Sequence, residues 1–425
     1  MSDSKPYPFS PLEDLVEVLD HLRAPVNSEE RSLRPGTVPY YGATGLQGWI
    51  DKALTNEPLI LLAEDGGNFD AFADRPIAYR IDGPAWVNNH AHIIRAKPGV
   101  SQSFVFWSIA HKDIRRFIAG GTRTKLTQSE MRRIEVPSPD PTDQVQIAAV
   151  LDTLDTTIRQ TEAIIEKLKQ VKQGLLHDLL TRGIDANGEL RPPQSEAPHL
   201  YKASSLGWIP KDWADPTIRQ VVAEVANGAS IRVDEFRSAG TPVIAKGDVT
   251  SAKYIDTSRR IQFVEPSLAT SKYKGSMINR EFVVCSMRDL VPSAPTLGMA
   301  SLLDADLDGL LAQGTTALLL EKDRFHAELF VEVTRLPWFR TKMRALAVGS
   351  TQVHMRGRDY LDVAIPAPPI EEQHEIVERV RTVDQSEEAH YESVKTFKAL
   401  KSGLMDDLLT GRVRVTPLLK QGATA

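Results

Sequence analysis

Two short segments in the first third of the chain carry the side chains best suited to reading a nucleic-acid base. One is Val38-Pro39-Tyr40-Tyr41-Gly42-Ala43-Thr44-Gly45 and the other is Val87-Asn88-Asn89-His90-Ala91-His92. An asparagine amide can hydrogen-bond the N6/N7 edge of adenine bidentately in the major groove. A tyrosine can stack on a base or donate a hydrogen bond, and the hydroxyl of Thr44 serves either edge. The second half offers Lys246, Asp248 and Thr250 in one segment and Gln313 and Thr315 in another, at comparable places. Other readings remain open for these residues. Asn88, Asn89, His90 and His92 also suit a hydrogen-bonded turn at a strand end, Tyr40 and Tyr41 suit core packing, and His90-x-His92 has metal-ligand spacing. No further ligand cluster is apparent, so no metal is expected.

Positive charge gathers at two matching places. Residues 106–129 hold Lys112, Arg115, Arg116, Arg123 and Lys125 against Asp113, a net of +4. Residues 335–358 hold Arg335, Arg340, Lys342, Arg344, Arg356 and Arg358 with no acid, a net of +6. The whole chain is at −5, so the remainder sums to −15 and any attraction to a polyanion must come from such patches. Phosphate contacts of this kind give sequence-independent affinity and fix orientation.

Familiar catalytic apparatus is missing. There is no Gly-x-x-x-x-Gly-Lys-Ser/Thr, no Gly-x-Gly-x-x-Gly and no His-Glu-x-x-His. The Asn/Asp-Pro-Pro-aromatic tetrapeptide with which amino-methyltransferases hold a target adenine is also absent; the two Pro-Pro pairs lie in Arg191-Pro192-Pro193-Gln194 and Ala367-Pro368-Pro369-Ile370.

The elements that must position these segments come in duplicate. Residues 120–181 align with 349–410 at a constant offset of 229, with 16 of 62 positions identical, including Pro137/Pro366, Gln144/Gln373, Lys172/Lys401 and Gly174/Gly403. Upstream, Glu17-Val18 echoes Glu224-Val225. Each repeated block reads as a long helix, with Asp140 as N-cap of the first and Gly183 and Gly411 as C-terminal stops. A heptad runs through Ile147, Leu151, Leu154, Ile158, Thr161, Ile165, Leu168, Lys172, Leu175 and Leu179. Its counterpart is Ile376, Val380, Val383, Glu387, His390, Val394, Phe397, Lys401, Leu404 and Leu408. An unbroken 3.5-residue period points to a coiled-coil seam. The alternative is two amphipathic helices, each covering its own module. Two homologous halves related by a pseudo-twofold axis would run these helices antiparallel, as a rod with a module near each end. The modules, 1–140 and 206–368, show short apolar runs such as Leu59-Ile60-Leu61-Leu62 and Phe282-Val283-Val284-Cys285, with helical stretches near 103–118 and 327–346. They are expected to be α+β. Helices at 141–183 and 369–411, a linker at 184–205 and a tail at 412–425 complete the division.

Composition sets the remaining bounds. The 425 residues exceed one usual domain, and 41% hydrophobic with 25% charged residues is ordinary globular usage. No apolar run approaches the roughly 20 residues of a membrane span. The first ten residues lack a secretory pattern. A single cysteine, Cys285, excludes an intramolecular disulfide, and a cytoplasmic setting with no membrane role is expected.

The chain resembles type I restriction–modification specificity subunits. The resemblance rests on the module-then-helix repeat and on Leu206-Gly207-Trp208-Ile209-Pro210-Lys211-Asp212-Trp213 opening the second module. Helix ends of the form Gly-Leu-Leu/Met-x-Asp-Leu-Leu-Thr and Pro137-x-Pro139 and Pro366-x-Pro368 also carry it. Tyr40 to Gly45 and Asn88 to His92 resemble motifs of one target-recognition subclass, although the first half lacks the Leu-Gly-Trp-Ile-Pro header. It implies two target-recognition domains, each reading half of a gapped double-stranded DNA site, and an antiparallel coiled coil acting as a ruler. It also implies two methyltransferase subunits that bring S-adenosylmethionine and methylate adenine N6. Where motor-nuclease subunits join, they use ATP and Mg to restrict unmethylated DNA. The chain itself is then expected to be non-catalytic and to bind no cofactor. Two rivals remain: a modifying enzyme with unrecognised motifs, and a coiled-coil adaptor that does not bind DNA.

Overall fold

A computed structural model of the chain describes residues 7–118, 124–255, 262–303 and 308–415. They form two compact units. One comprises residues 1–164 with 390–425, the other residues 165–389. Each long helix, Pro141–Thr181 and Ile370–Thr410, is therefore divided between them.

In the first unit a four-stranded antiparallel sheet runs in the order Val16–Val18, Ala91–Ala96, Leu59–Ala63, Ala78–Ile81. A second sheet runs Gly45–Ile50, Val38–Gly42, Pro84–Val87, Thr55–Asn56. Its inner pair, Val38–Gly42 and Pro84–Val87, is parallel. The second unit repeats this plan. Its antiparallel sheet is Val222–Asn227, Thr315–Leu320, Phe282–Ser286, Ala300–Leu302. Its second sheet is Phe236–Arg237, Gln262–Val264, Thr241–Ile244, Gly309–Leu311, Met277–Ile278, again with a parallel pair, Thr241–Ile244 and Gly309–Leu311. The strand order thus preserves a repeat that sequence identity barely shows outside the helices. Strands such as Leu59–Ala63 and Phe282–Ser286 are buried along their whole length, which explains their continuous apolar runs.

Gln144 and Gln373, identical in the two repeats and both buried, tie each module to its long helix. The Gln144 amide donates to the Pro139 carbonyl at 3.0 Å, and its oxygen accepts from the Ser101 N–H at 3.0 Å. Ser101 caps the helix Gln102–Ala110. Gln373 repeats the arrangement, donating to Pro368 at 2.8 Å and accepting from His326 N–H, the cap of Ala327–Val333, at 2.8 Å. Each buried amide satisfies backbone groups that two helix starts leave open.

The heptad positions all lie inward: none of the twenty is exposed. Ile147, Leu151 and Leu408 belong to the core of the first module, while Leu179, Ile376 and Val380 belong to that of the second. The seam is apolar at its ends because the ends are also module cores. Each helix covers parts of both modules, so the alternative of one helix per module does not hold. In the first unit Asp155 pairs with Lys401 at 2.5 Å and Glu162 with Lys398 at 2.8 Å. Advancing along one helix retreats along the other, so the segments are antiparallel there. In the second unit Lys172 reaches Asp384 at 2.8 Å and Glu332 at 3.4 Å. Asp155/Asp384 and Lys172/Lys401 are the same two repeat positions, so the one polar bond recurs with its partners exchanged.

Asp140 Oδ1 accepts from the N–H groups of Thr142 and Asp143, and Gly183 and Gly411 take φ +68° and +75° as C-terminal stops. Three sequence expectations need correction. The helical stretch 103–118 ends at Ala110; Asp113 then accepts from the Arg115 N–H and starts a short 3-10 turn, Arg115–Phe117. The stretch 327–346 is two helices, since Pro337 begins the second. Ordered structure resumes before Leu206, within the linker of 184–205. Tyr201–Ser204 pairs with Gly207–Pro210, and Arg191 is bound by Glu372. Within the tail, Val415 is buried in the first core, and Arg414 lies over the Tyr7 ring at 4.0 Å. Cys285 is a core residue, and burial pushes its thiol up to about 12.

Candidate nucleic-acid interface

Parallel pairing gathers the proposed reading segments. Tyr40 lies opposite Trp86 and Tyr41 opposite Val87, and the Asn88 N–H donates to the Tyr41 carbonyl at 3.0 Å. The hairpin after Gly42 and the loop after Val87 therefore leave the sheet side by side. The second module repeats the device. Val243 lies opposite Leu310, and the Ala312 N–H donates to the Ile244 carbonyl at 2.9 Å. The loop after Ile244, with Lys246, Asp248 and Thr250, thus adjoins the turn Ala312-Gln313-Gly314-Thr315. Asn89 and Gln313 occupy the same place in the two modules, one residue beyond that bond, and both are exposed.

Several candidates prove to be supports. Tyr40 is a core residue: its hydroxyl donates to the Val26 carbonyl at 2.9 Å and accepts from the Val26 N–H at 3.2 Å. Tyr41 is half-buried, its ring tilted against Tyr79 at 5.9 Å. Asn88 is buried and builds the turn, since its Oδ1 accepts from the His90 N–H at 2.8 Å. Thr315 is buried and donates to the Ala312 carbonyl at 2.7 Å. Asp248 accepts from the Ala245 N–H at 2.7 Å, and burial raises its carboxyl. Thr250 Oγ1 accepts from the Ala252 N–H. Tyr40 thus sits in the core and Asn88 in the turn, while Thr250 is exposed. Thr44 and Asn89 are exposed, Lys246 is half-buried without an ion pair among the described residues, and His90 is half-exposed with its ring at 2.5 Å from Asp65.

His92 belongs to a buried charged network. Its Nδ1 lies 2.7 Å from Asp20 and its Nε2 2.9 Å from the Leu126 carbonyl. Burial works against the Asp20 carboxylate, but bonds from His92, Gln128 and the Ile93 N–H hold its pKa below the ordinary value. Burial likewise opposes the Glu64 charge, and Lys125 and Arg23 outweigh it. Among the described residues Asp20, Glu64 and His92 are the one group with donor atoms close enough to hold a metal. Two cations already balance its carboxylates and both ring nitrogens are engaged, so the chemistry is that of a closed salt-bridge network.

The basic windows differ more than their charge suggests. Arg115 is bound to Asp113 at 2.7 Å, Arg116 to Glu135 at 2.7 Å and Lys125 to Glu64 at 2.7 Å. Arg123 lies outside the described residues. In the second window Arg340 is buried and donates to the carbonyls of Leu297, Ala294 and Pro295, while Arg335 turns to those of Ser251, Ala252 and Ala300. Arg358 leans on Asp359 at 3.3 Å. Arg344 and Arg356 are exposed without an ion pair among the described residues.

Three residues that sequence reasoning passed over stand beside the loops. Arg31 is stacked on Tyr40 at 4.5 Å, and Arg288 lies against Gly314. Neither has an ion pair among the described residues. Gln47 is exposed and receives a hydrogen bond from Asn88 Nδ2 at 3.1 Å. No spacing rule would have found them, since their places depend on hairpin geometry.

Residues 5–170 and 210–396 each match the type I restriction modification DNA specificity domain, and the chain belongs to that family. The chain recognises DNA sequence within a type I restriction–modification system. It is similar to the type I restriction enzyme MjaVIII specificity subunit of Methanocaldococcus jannaschii, 23% identical over 320 residues, covering 74% of this chain and 71% of that one. A putative type I restriction enzyme specificity subunit of Haemophilus influenzae is 30% identical over 146 residues, 34% of this chain and 37% of that one. In fold it resembles the crystal structure of a type I restriction–modification S subunit from M. genitalium, with TM-score 0.61, 13% identity and 96% and 97% of the two chains covered. It also resembles a chain from a study of complex assembly and conformational transition of the type I system, with TM-score 0.52, 14% identity and 97% and 100% covered. Among the described residues no helix is long and apolar enough to cross a membrane.

Proposed function

We propose that this chain is the non-catalytic reading subunit of a cytoplasmic type I assembly, each module reading one half of a gapped DNA site. Two methyltransferase subunits supply S-adenosylmethionine and the N6-methylation chemistry. Where a motor-nuclease subunit is present, it uses ATP and Mg to restrict unmethylated sites. The observation that carries this reading is the shared loop position at the ends of a parallel strand pair, filled by different side chains in the two modules. One scaffold with two sets of exposed polar groups suits two different half-sites. Mapping N6-methyladenine across the genome in cells with and without the chain tests it. Methylation at one two-part motif is expected to vanish with the chain. If every methylated motif survives its removal, the reading is wrong.

Arg344 and Arg356 are assigned to phosphate. Replacing both with Ala is expected to weaken binding to all duplexes alike and to flatten the slope of log affinity against log salt by about 2. Arg115 and Arg116 must first leave their carboxylates, so their removal is expected to change the slope less. A changed base preference with an unchanged slope would make Arg344 and Arg356 base readers instead.

A further inference from the structure

The hairpin Val38–Gly42/Gly45–Ile50 contains one residue out of register. Tyr40 lies opposite Gly48 and Tyr41 opposite Leu46, so Gln47 is the extra residue of a β-bulge. A bulge interrupts the ladder and re-aims a side chain. The re-aimed amide is then fixed from two sides. A Cβ at Gly42 would lie 2.2 Å from Gln47 Nε2 and 2.3 Å from its Cδ, so the amide rests directly on that glycine. Asn88, itself buried and pinned by the His90 N–H, donates to Gln47 Oε1 at 3.1 Å. A surface glutamine ordinarily samples many rotamers, and ordering it costs free energy. Here the fold has ordered it in advance, at the edge of the loops that the two parallel strands bring together.

A cation accompanies it. The Arg31 guanidinium stacks on the Tyr40 ring, and its Nε lies 3.4 Å from where a Cβ at Gly48 would stand. It has no carboxylate partner among the described residues, unlike Arg34, which is bound to Asp51 at 2.7 Å.

We propose that Gln47 is an adenine-reading residue of the first module, with Asn88 as its positioning residue and Arg31 as the adjoining phosphate contact. This rests on the DNA-recognition reading above. The Gln47 Nε2 N–H donates to adenine N7, and the second lone pair of Oε1 accepts from adenine N6; the first is taken by Asn88. The burial of Asn88 explains why that asparagine supports the reading instead of performing it.

The test replaces single codons in the cell's own gene, keeps the chain full length and maps N6-methyladenine. Gln47→Ala is expected to lower discrimination at one adenine of one half-site by about 5- to 150-fold, leaving the other half-site intact. Gln47→Glu keeps the bond from Asn88 but loses both donors, and is expected to move the preference at that position from adenine to cytosine. Asn88→Asp keeps the acceptor for His90 N–H but cannot donate to Gln47. It is expected to relax that same position alone, whereas damage to the fold would relax the whole half-site. Arg31→Ala is expected to lower the methylated fraction at all sites alike. If Gln47→Ala cells keep the wild-type motif at every position, Gln47 reads no base and the inference fails while the DNA reading stands. If deleting the chain abolishes no motif, the DNA reading itself fails and the inference falls with it.

Discussion

Glu372→Ala is expected to destabilise the second unit by about 3–5 kcal/mol, the usual cost of leaving one partner of a buried ion pair alone. Glu372 is a side chain only 8% exposed in the first turn of the second long helix. Its carboxylate receives both Nη groups of Arg191 at 2.6 and 3.1 Å, the Trp213 indole N–H at 3.1 Å and the Ile184 backbone N–H at 2.6 Å. One side chain thus closes the start of this helix onto the chain that follows Gly183 and onto the tryptophan that ends the Leu-Gly-Trp-Ile-Pro-Lys-Asp-Trp segment. Removing it leaves a buried guanidinium uncompensated and two donors without an acceptor. Glu372→Gln keeps an acceptor and is expected to fall between. Asp143 is the equivalent acid of the first repeat. It accepts from the Tyr7 hydroxyl at 2.9 Å and from Arg414 at 3.4 Å, and burial, then the bond to Asp143, pushes the Tyr7 hydroxyl up to about 12. Its arginine contact at 3.4 Å is longer than either of those made by Glu372, and Asp143→Ala is expected to be the milder change. Urea denaturation followed by tryptophan fluorescence measures the difference. A shift below about 1 kcal/mol for Glu372→Ala would show that Arg191 finds water on its own and that the carboxylate is not a closure.

The helices, their stops and the seam could be read from the sequence because they rest on local rules. A heptad, an N-cap and a left-handed glycine each leave a mark within a few residues. The two long helices and the identical Gln144 and Gln373 were visible for that reason, although not what the glutamines bind. Module architecture was legible only as apolar runs. The parallel pairing that joins Tyr41 to Val87 connects residues more than forty positions apart, and no periodicity records it. The same limit separated readers from supports. Tyr40, Asn88 and Thr315 have the chemistry to touch a base, but the fold spends it on the Val26 backbone, the His90 N–H and the Ala312 carbonyl. Charge counting failed in a related way. Arg340 contributes to a basic window in sequence yet binds three carbonyls indoors, and the partners of Arg116 and Lys125, Glu135 and Glu64, lie outside residues 106–129.

The two long helices are matched in length, each running for 41 residues. Asp155 to Lys172 in the first and Asp384 to Lys401 in the second span the same seventeen-residue step, and each end is tied across to the other helix within its own unit. On the proposed reading of one antiparallel seam, both ion pairs hold only while the two steps are equal. Deleting residues 162–168 alone keeps the heptad phase but leaves the steps unequal by seven, so one pair must break and the protein is expected to lose stability. Deleting residues 388–394 as well restores equality, and a folded protein with both pairs is expected. Each helix is then shorter by roughly 10 Å at 1.5 Å per residue, about three base pairs of B-DNA. On the proposed reading the half-site sequences stay as they were and the preferred spacer shortens by about three base pairs. Deleting four residues from each helix equalises the steps but turns the seam off its apolar face, and that variant is expected to be unstable. Methylated motifs in cells carrying each variant, with soluble yield as the check on folding, distinguish these outcomes. A matched fourteen-residue deletion that folds, methylates and keeps the original spacer would mean that something other than helix length sets the distance between half-sites.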